Sequence, residues 1–92
     1  MPSVVILLPS MLQAKAGNRA SLNVAGNTLR EVIEALEQAV PGMQFHLCDE
    51  SGELRPYVNI FLGQENIRYL EGLETSVLAG VPIRIFPSVA GG

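Results

Sequence analysis

One stretch of this chain, Thr28 to Val40, repeats apolar residues at helical spacing, and the stripe they form has to be covered by something. Leu29, Val32, Ile33, Leu36 and Val40 recur three and four residues apart, while Arg30, Glu34, Glu37 and Gln38 lie elsewhere on the helix. Thr28 followed three residues later by Glu31 is a capping box, in which each side chain satisfies the other's exposed backbone N–H, and Pro41-Gly42 closes the segment. The remaining apolar runs are short and rich in β-branched residues, so the cover for this one main helix is a sheet.

Val4 to Leu8 is an apolar run closed by Pro9, and it reads as a central strand buried on both faces. The segment from there to Gly17-Asn18 carries turn residues. Ala20, Leu22 and Val24 then alternate with Ser21, Asn23 and Ala25 at the two-residue period of a second strand, which forms a hairpin with the first. Met43 to Cys48 fits either a short helical turn or an extended stretch, and Asp49-Glu50-Ser51-Gly52 is a polar turn. Tyr57 to Leu62 makes a strand between Pro56 and Gly63, with Ile67-Arg68-Tyr69 as a short neighbouring strand. Leu70 to Gly80 is a connector with room for one helical turn. Ile83 to Phe86 is the last strand, bounded by Pro82 and by Pro87, which lacks the N–H needed to continue a ladder. The expected class is α+β: a mixed sheet of four to five strands packed on one main helix, with residues 1–87 as the domain and 88–92 as a flexible tail that narrows to Gly91-Gly92.

Ninety-two residues, 48% of them hydrophobic, allow one core and no second domain. A charged fraction of 16% and a net charge of -3 without a basic run fit a soluble chain and give no footprint for nucleic acid. The run Val4 to Leu8 is too short for a membrane span and lacks the flanks of an export signal. Cys48 is the sole cysteine, so no internal disulfide forms, and the expected location is a reducing cytoplasm.

Strand alternation also sorts the aromatic residues. Ile83 and Ile85 oppose Arg84 and Phe86; Val58, Ile60 and Leu62 oppose Tyr57, Asn59 and Phe61. With the aliphatic sets facing the helix, Phe61 and Phe86 are candidates for an exposed apolar patch on the outer face, unless loops cover both rings.

The element order and the free Gly-Gly end resemble the ubiquitin-like β-grasp fold and, within it, the ThiS/MoaD sulfur-carrier family. The likeness is greatest in Tyr57-Val58-Asn59-Ile60-Phe61 and in Ile85-Phe86-Pro87-Ser88-Val89-Ala90-Gly91-Gly92, which are similar to the CysO-like carriers of cysteine biosynthesis. The resemblance implies a carrier rather than an enzyme. It implies that an E1-like partner of the ThiF/MoeB type adenylates the Gly92 carboxylate with ATP, and that a sulfur donor then displaces AMP to leave a thiocarboxylate. It implies no cofactor bound to this chain, a sulfur-accepting enzyme such as a cysteine synthase, and a metalloprotease where a C-terminal extension has to be trimmed. Phe86, Phe61, Pro87 and Val89 are the implied partner-binding surface. Glycine suits the terminus because Gly91 and Gly92 carry no Cβ and can thread a narrow channel. No glycine-rich phosphate loop followed by Lys-Ser or Lys-Thr exists in the chain, so activation has to come from the partner. Two rival readings keep the fold: a covalent protein modifier joined through Gly92 to target lysines, and a non-covalent interaction domain indifferent to loss of Gly91 and Gly92.

Other charged and metal-binding residue types read as structural. His46 and Cys48 fall short of a zinc ligand set. Glu31, Glu34 and Glu37 read as a cap followed by a solvated helix face, Asp49, Glu50 and Glu53 as a solvated turn, and Glu65 and Arg68 as hairpin surface residues.

Overall fold

The last strand of the chain runs up the middle of a single mixed sheet. The computed structural model describes residues 3–87. Its strands are β1 (Ser3–Leu7), β2 (Ser21–Ala25), β3 (Val58–Leu62), β4 (Glu65–Asn66) and β5 (Ile83–Pro87), in the order β2-β1-β5-β3-β4. β1 pairs antiparallel with β2 and parallel with β5, and β5 pairs antiparallel with β3. Helix α2 (Leu29–Ala39) lies across one face. Leu29, Val32, Ile33 and Leu36 on its stripe join Val4 and Ile6, Leu22 and Val24, Val58 and Ile60, and Ile83 and Ile85 in one core. This is the ubiquitin-like β-grasp arrangement that the sequence predicts. The proposed tail, 88–92, lies outside the described residues.

Several local expectations need correction. β1 is not buried on both faces: Val4 and Ile6 are buried, whereas Val5 is 38% exposed and Leu7 half-buried, because the helix covers only one side of the sheet. The segment after Pro9 is not simply a turn. It forms a short helix α1 (Ser10–Gln13) and a 3₁₀ turn (Ala14–Ala16) that bury Leu12 and Ala16, and the left-handed pair Gly17 and Asn18 then reverses the chain. Ala20 is exposed and precedes β2. β5 extends through Pro87, which stands opposite Val58 at the strand's end.

The start of α2 departs slightly from a capping box. Thr28 Oγ1 accepts the Glu31 N–H at 3.3 Å, but the Glu31 carboxylate reaches the N–H of Asn27, one residue earlier than the box requires, at 2.8 Å. The chain enters this turn through Gly26, where an added Cβ would lie 2.9 Å from the backbone nitrogen of Val32. Backbone cannot yield as a side-chain tip can. Gly26→Ala is therefore expected to destabilise the fold by about 1–3 kcal/mol, read as a lower Tm; an unchanged Tm would show that the turn has slack.

Met43 to Cys48 resolves as helix α3 (Met43–Leu47), with Met43 and Leu47 fully buried. What starts it is Glu37, whose two carboxylate oxygens accept the N–H groups of Gly42 and Gln44 at 2.8 Å each. Glu37 is thus not merely part of a solvated face, although Glu34 is exposed. The bonds from Gly42 and Gln44 hold the Glu37 carboxyl below its ordinary 4.5, and the Ser51 hydroxyl with the Glu53 and Ser51 N–H groups does the same for Asp49, ordinarily 3.8. A depressed carboxyl stabilises the fold above its unfolded pKa and loses that contribution as pH falls through the folded one. The Tm is expected to fall on acidification below pH 4.5, and less steeply in Glu37→Gln; an identical pH profile in that variant would remove Glu37 from the account.

Ile67-Arg68-Tyr69 is not a strand. β4 occupies Glu65–Asn66, and Asn66 Oδ1 accepts the Arg68 N–H at 2.9 Å, turning the chain into a 3₁₀ turn (Ile67–Tyr69) that buries Ile67. The connector does contain one turn, Gly72–Glu74. Arg68 is more than a hairpin surface charge: its Nη2 donates to the carbonyls of Arg55, Pro56 and Val58 at 2.7, 3.3 and 2.6 Å, holding the approach to β3. It does not pair with Glu65; the ion pair found among the described residues is Arg30–Glu74, at 2.7 Å.

Candidate docking face and acyl terminus

Alternation along β3 and β5 sends their aliphatic side chains inward, and what remains forms the outer face. Val58, Ile60, Ile83 and Ile85 are all at most 2% exposed, while Phe86 is 48% exposed and Phe61 half-buried. The register sets Asn59 opposite Phe86 and Phe61 opposite Arg84. That diagonal brings the two rings edge to face, with centroids 5.7 Å apart and planes at 82°. Among the described residues no loop covers Phe86, and the two rings form a surface cluster rather than a buried one.

The patch is wider than strand alternation in β3 and β5 alone suggested. The parallel pairing of β1 with β5 sets Leu7 beside Arg84, so that Leu7, Arg84 and Phe61 stand in one row across the sheet. A shallow concavity between Leu7, Pro9 and Phe86 opens next to that row. Leu7 and Pro9 were missed because Val4 to Leu8 reads as a doubly buried strand; the available signal was that its odd positions are as apolar as its even ones. Tyr57, just before β3, is also 48% exposed.

The other candidate residues divide by position. The Pro87 backbone lies opposite Val58 at the end of β5, beside Phe86. Val89, Gly91 and Gly92 lie outside the described residues. His46 is half-buried and meets the Phe45 ring edge-on, whereas Cys48 is buried, and that burial pushes its thiol above its ordinary value and keeps it protonated. Among the described residues no helix is long and apolar enough to cross a membrane.

Among the described residues the outer face offers apolar contact area and one cation, Arg84. It suits a surface read by another protein.

Comparison with known proteins points the same way. The model of the ThiS family matches residues 6–92. The sulfur carrier protein CysO of Mycobacterium tuberculosis is 36% identical over 92 residues, which span 98% of this chain and 99% of that protein. Among solved structures, a chain of the Amycolatopsis orientalis BexX/CysO complex superposes with a TM-score of 0.90 at 31% identity, covering 97% of this chain and 99% of its own. The small archaeal modifier protein 1 of Methanosarcina acetivorans superposes with a TM-score of 0.84 at 33% identity, covering 100% and 98%.

Proposed function

The chain belongs to the ThiS family, and from that premise we propose that it serves as a sulfur carrier rather than a catalyst, with the α-carboxylate of Gly92 as its working group. In this reading an E1-like enzyme joins the carboxylate to ATP, forming a Gly92 acyl-adenylate and releasing pyrophosphate. Hydrosulfide then attacks the acyl carbon, the bond to AMP breaks, and a thiocarboxylate remains. A free carboxylate is a poor electrophile, and the mixed anhydride supplies the leaving group it lacks. The chain binds no cofactor of its own, because ATP is held by the partner. The thiocarboxylate sulfur passes to a biosynthetic enzyme of the cysteine synthase type, and a metalloprotease trims any extension that follows Gly92.

The observation that carries this reading is the position of Pro87 beside the Phe61–Phe86 patch. The five residues 88–92 separate it from the acyl group, and five residues span at most roughly 18 Å. One partner can therefore grip the outer face and reach Gly92 at the same time. Support for a biosynthetic partner comes from the BexX/CysO complex, whose superposable chain has this fold.

Intact mass spectrometry after incubation with ATP, sulfide and an E1-like enzyme from the same genome tests the proposal. The expected product is heavier by the exchange of one oxygen for sulfur. An adenylate that forms without sulfur uptake, together with conjugates on lysines, would favour the modifier reading instead, which the likeness to the Methanosarcina modifier supports.

A further inference from the structure

The outer face of the sheet is neutral except at one position. On β1, β2, β3 and β4 the outward positions hold serine, valine, leucine, asparagine, alanine and phenylalanine; on β5 they hold Phe86 and Arg84. The chain has five arginines. Four donate to the chain itself: Arg19 to the Ala16 carbonyl, Arg30 to Glu74, Arg55 to the Phe45 carbonyl, and Arg68 to three carbonyls. Arg84 is exposed and makes no hydrogen bond or ion pair among the described residues, in a protein of net charge -3.

Its place in the sheet gives that freedom a consequence. Arg84 lies on the central strand between Leu7 and Phe61, with Phe86 two residues along the same face. A partner that covers the apolar residues on either side also strips water from the guanidinium. A desolvated and unpaired charge opposes binding strongly, so an entirely apolar partner surface does not fit this face. A planar fork of free N–H donors fits a carboxylate, which accepts two of them at once.

Resting on the carrier reading above, we infer that the adenylating partner docks on this face through an apolar surface with an aspartate or glutamate carboxylate at its centre, paired with Arg84. Phe61, Phe86 and Leu7 supply contact area and exclude water, and Arg84 sets the register and selects against partners lacking the acid.

The test is calorimetric titration of the full chain into the E1-like enzyme from the same genome, without ATP, at several salt concentrations. Arg84→Met keeps the length and apolar stem of the side chain but removes the charge. If a carboxylate faces it, Arg84→Met and Arg84→Gln bind roughly thirtyfold more weakly or worse, Arg84→Glu is weaker still, and the salt dependence of binding flattens in all three while their Tm values match wild type. Equal or tighter binding by Arg84→Met overturns the inference, since it means that the guanidinium stays wet or meets an apolar surface. Sulfur loading in the same samples separates the two proposals: a weakened Arg84→Met with no loading of wild type sinks the thiocarboxylate reading alone, normal loading with an indifferent Arg84→Met sinks only the acidic contact, and wild type that neither binds nor loads removes both.

Discussion

Removal of Gly91 and Gly92 is expected to abolish sulfur loading while leaving the Tm where it was. The described core is built from residues between Val4 and Ile85, and an unchanged Tm is the expected sign that its packing does not depend on the last two residues. It leaves Ala90 as the terminal acyl group, two residues short of where the adenylate has to form. A shortfall of that size cannot be recovered by small adjustments, because displacement of a reacting group by a single ångström already costs about a hundredfold in rate. Gly92→Ala retains the reach and tests the channel separately: loading slows roughly a hundredfold if a Cβ obstructs the approach to the nucleotide. Intact mass and pyrophosphate release measure both. Undiminished loading by the truncated chain would place the acyl chemistry somewhere other than the Gly-Gly end.

Phe86→Asp carries the second large effect, on binding rather than on folding. The ring is 48% exposed and its aromatic contact is with Phe61 on the same surface. Losing that contact costs the fold only about 0.5–1.5 kcal/mol. In the docking face proposed above the same ring is an anchor, and Phe86→Asp replaces it with a charge. Affinity for the adenylating enzyme is expected to fall roughly thirtyfold or more. The aspartate also lies near Arg84 and competes for its guanidinium, which adds to the loss. A large drop in Tm with unchanged affinity would assign Phe86 to the fold and take the outer face out of the docking account.

How much of this was legible beforehand depends on the distance over which each feature is set. The α2 stripe, the Thr28 cap, the inward aliphatic sets of β3 and β5 and the outward Phe61 and Phe86 follow from residue periods of 3.6 and 2 within one element, and each stands where the pattern places it. Misreadings gathered where a side chain meets a distant backbone. Glu37 resembles any charged helix residue until α3 is folded back so that its first N–H groups meet the carboxylate. Arg68 resembles a surface cation until the approach to β3 brings the carbonyls of Arg55, Pro56 and Val58 within its reach.

By itself the sequence determined the main helix, the strands β1, β2, β3 and β5, the inward faces of α2, β3 and β5, and the family likeness carried by the strand ending in Ile85-Phe86-Pro87 and the glycine end, because local spacing decides which side chains share a surface. Tertiary structure alone decided that β1 lies parallel beside β5, and that Leu7 and Phe61 flank an Arg84 without a partner among the described residues. Strand order and register come from the packing of the whole core, in which residues from opposite ends of the chain become neighbours, and no local pattern encodes that adjacency.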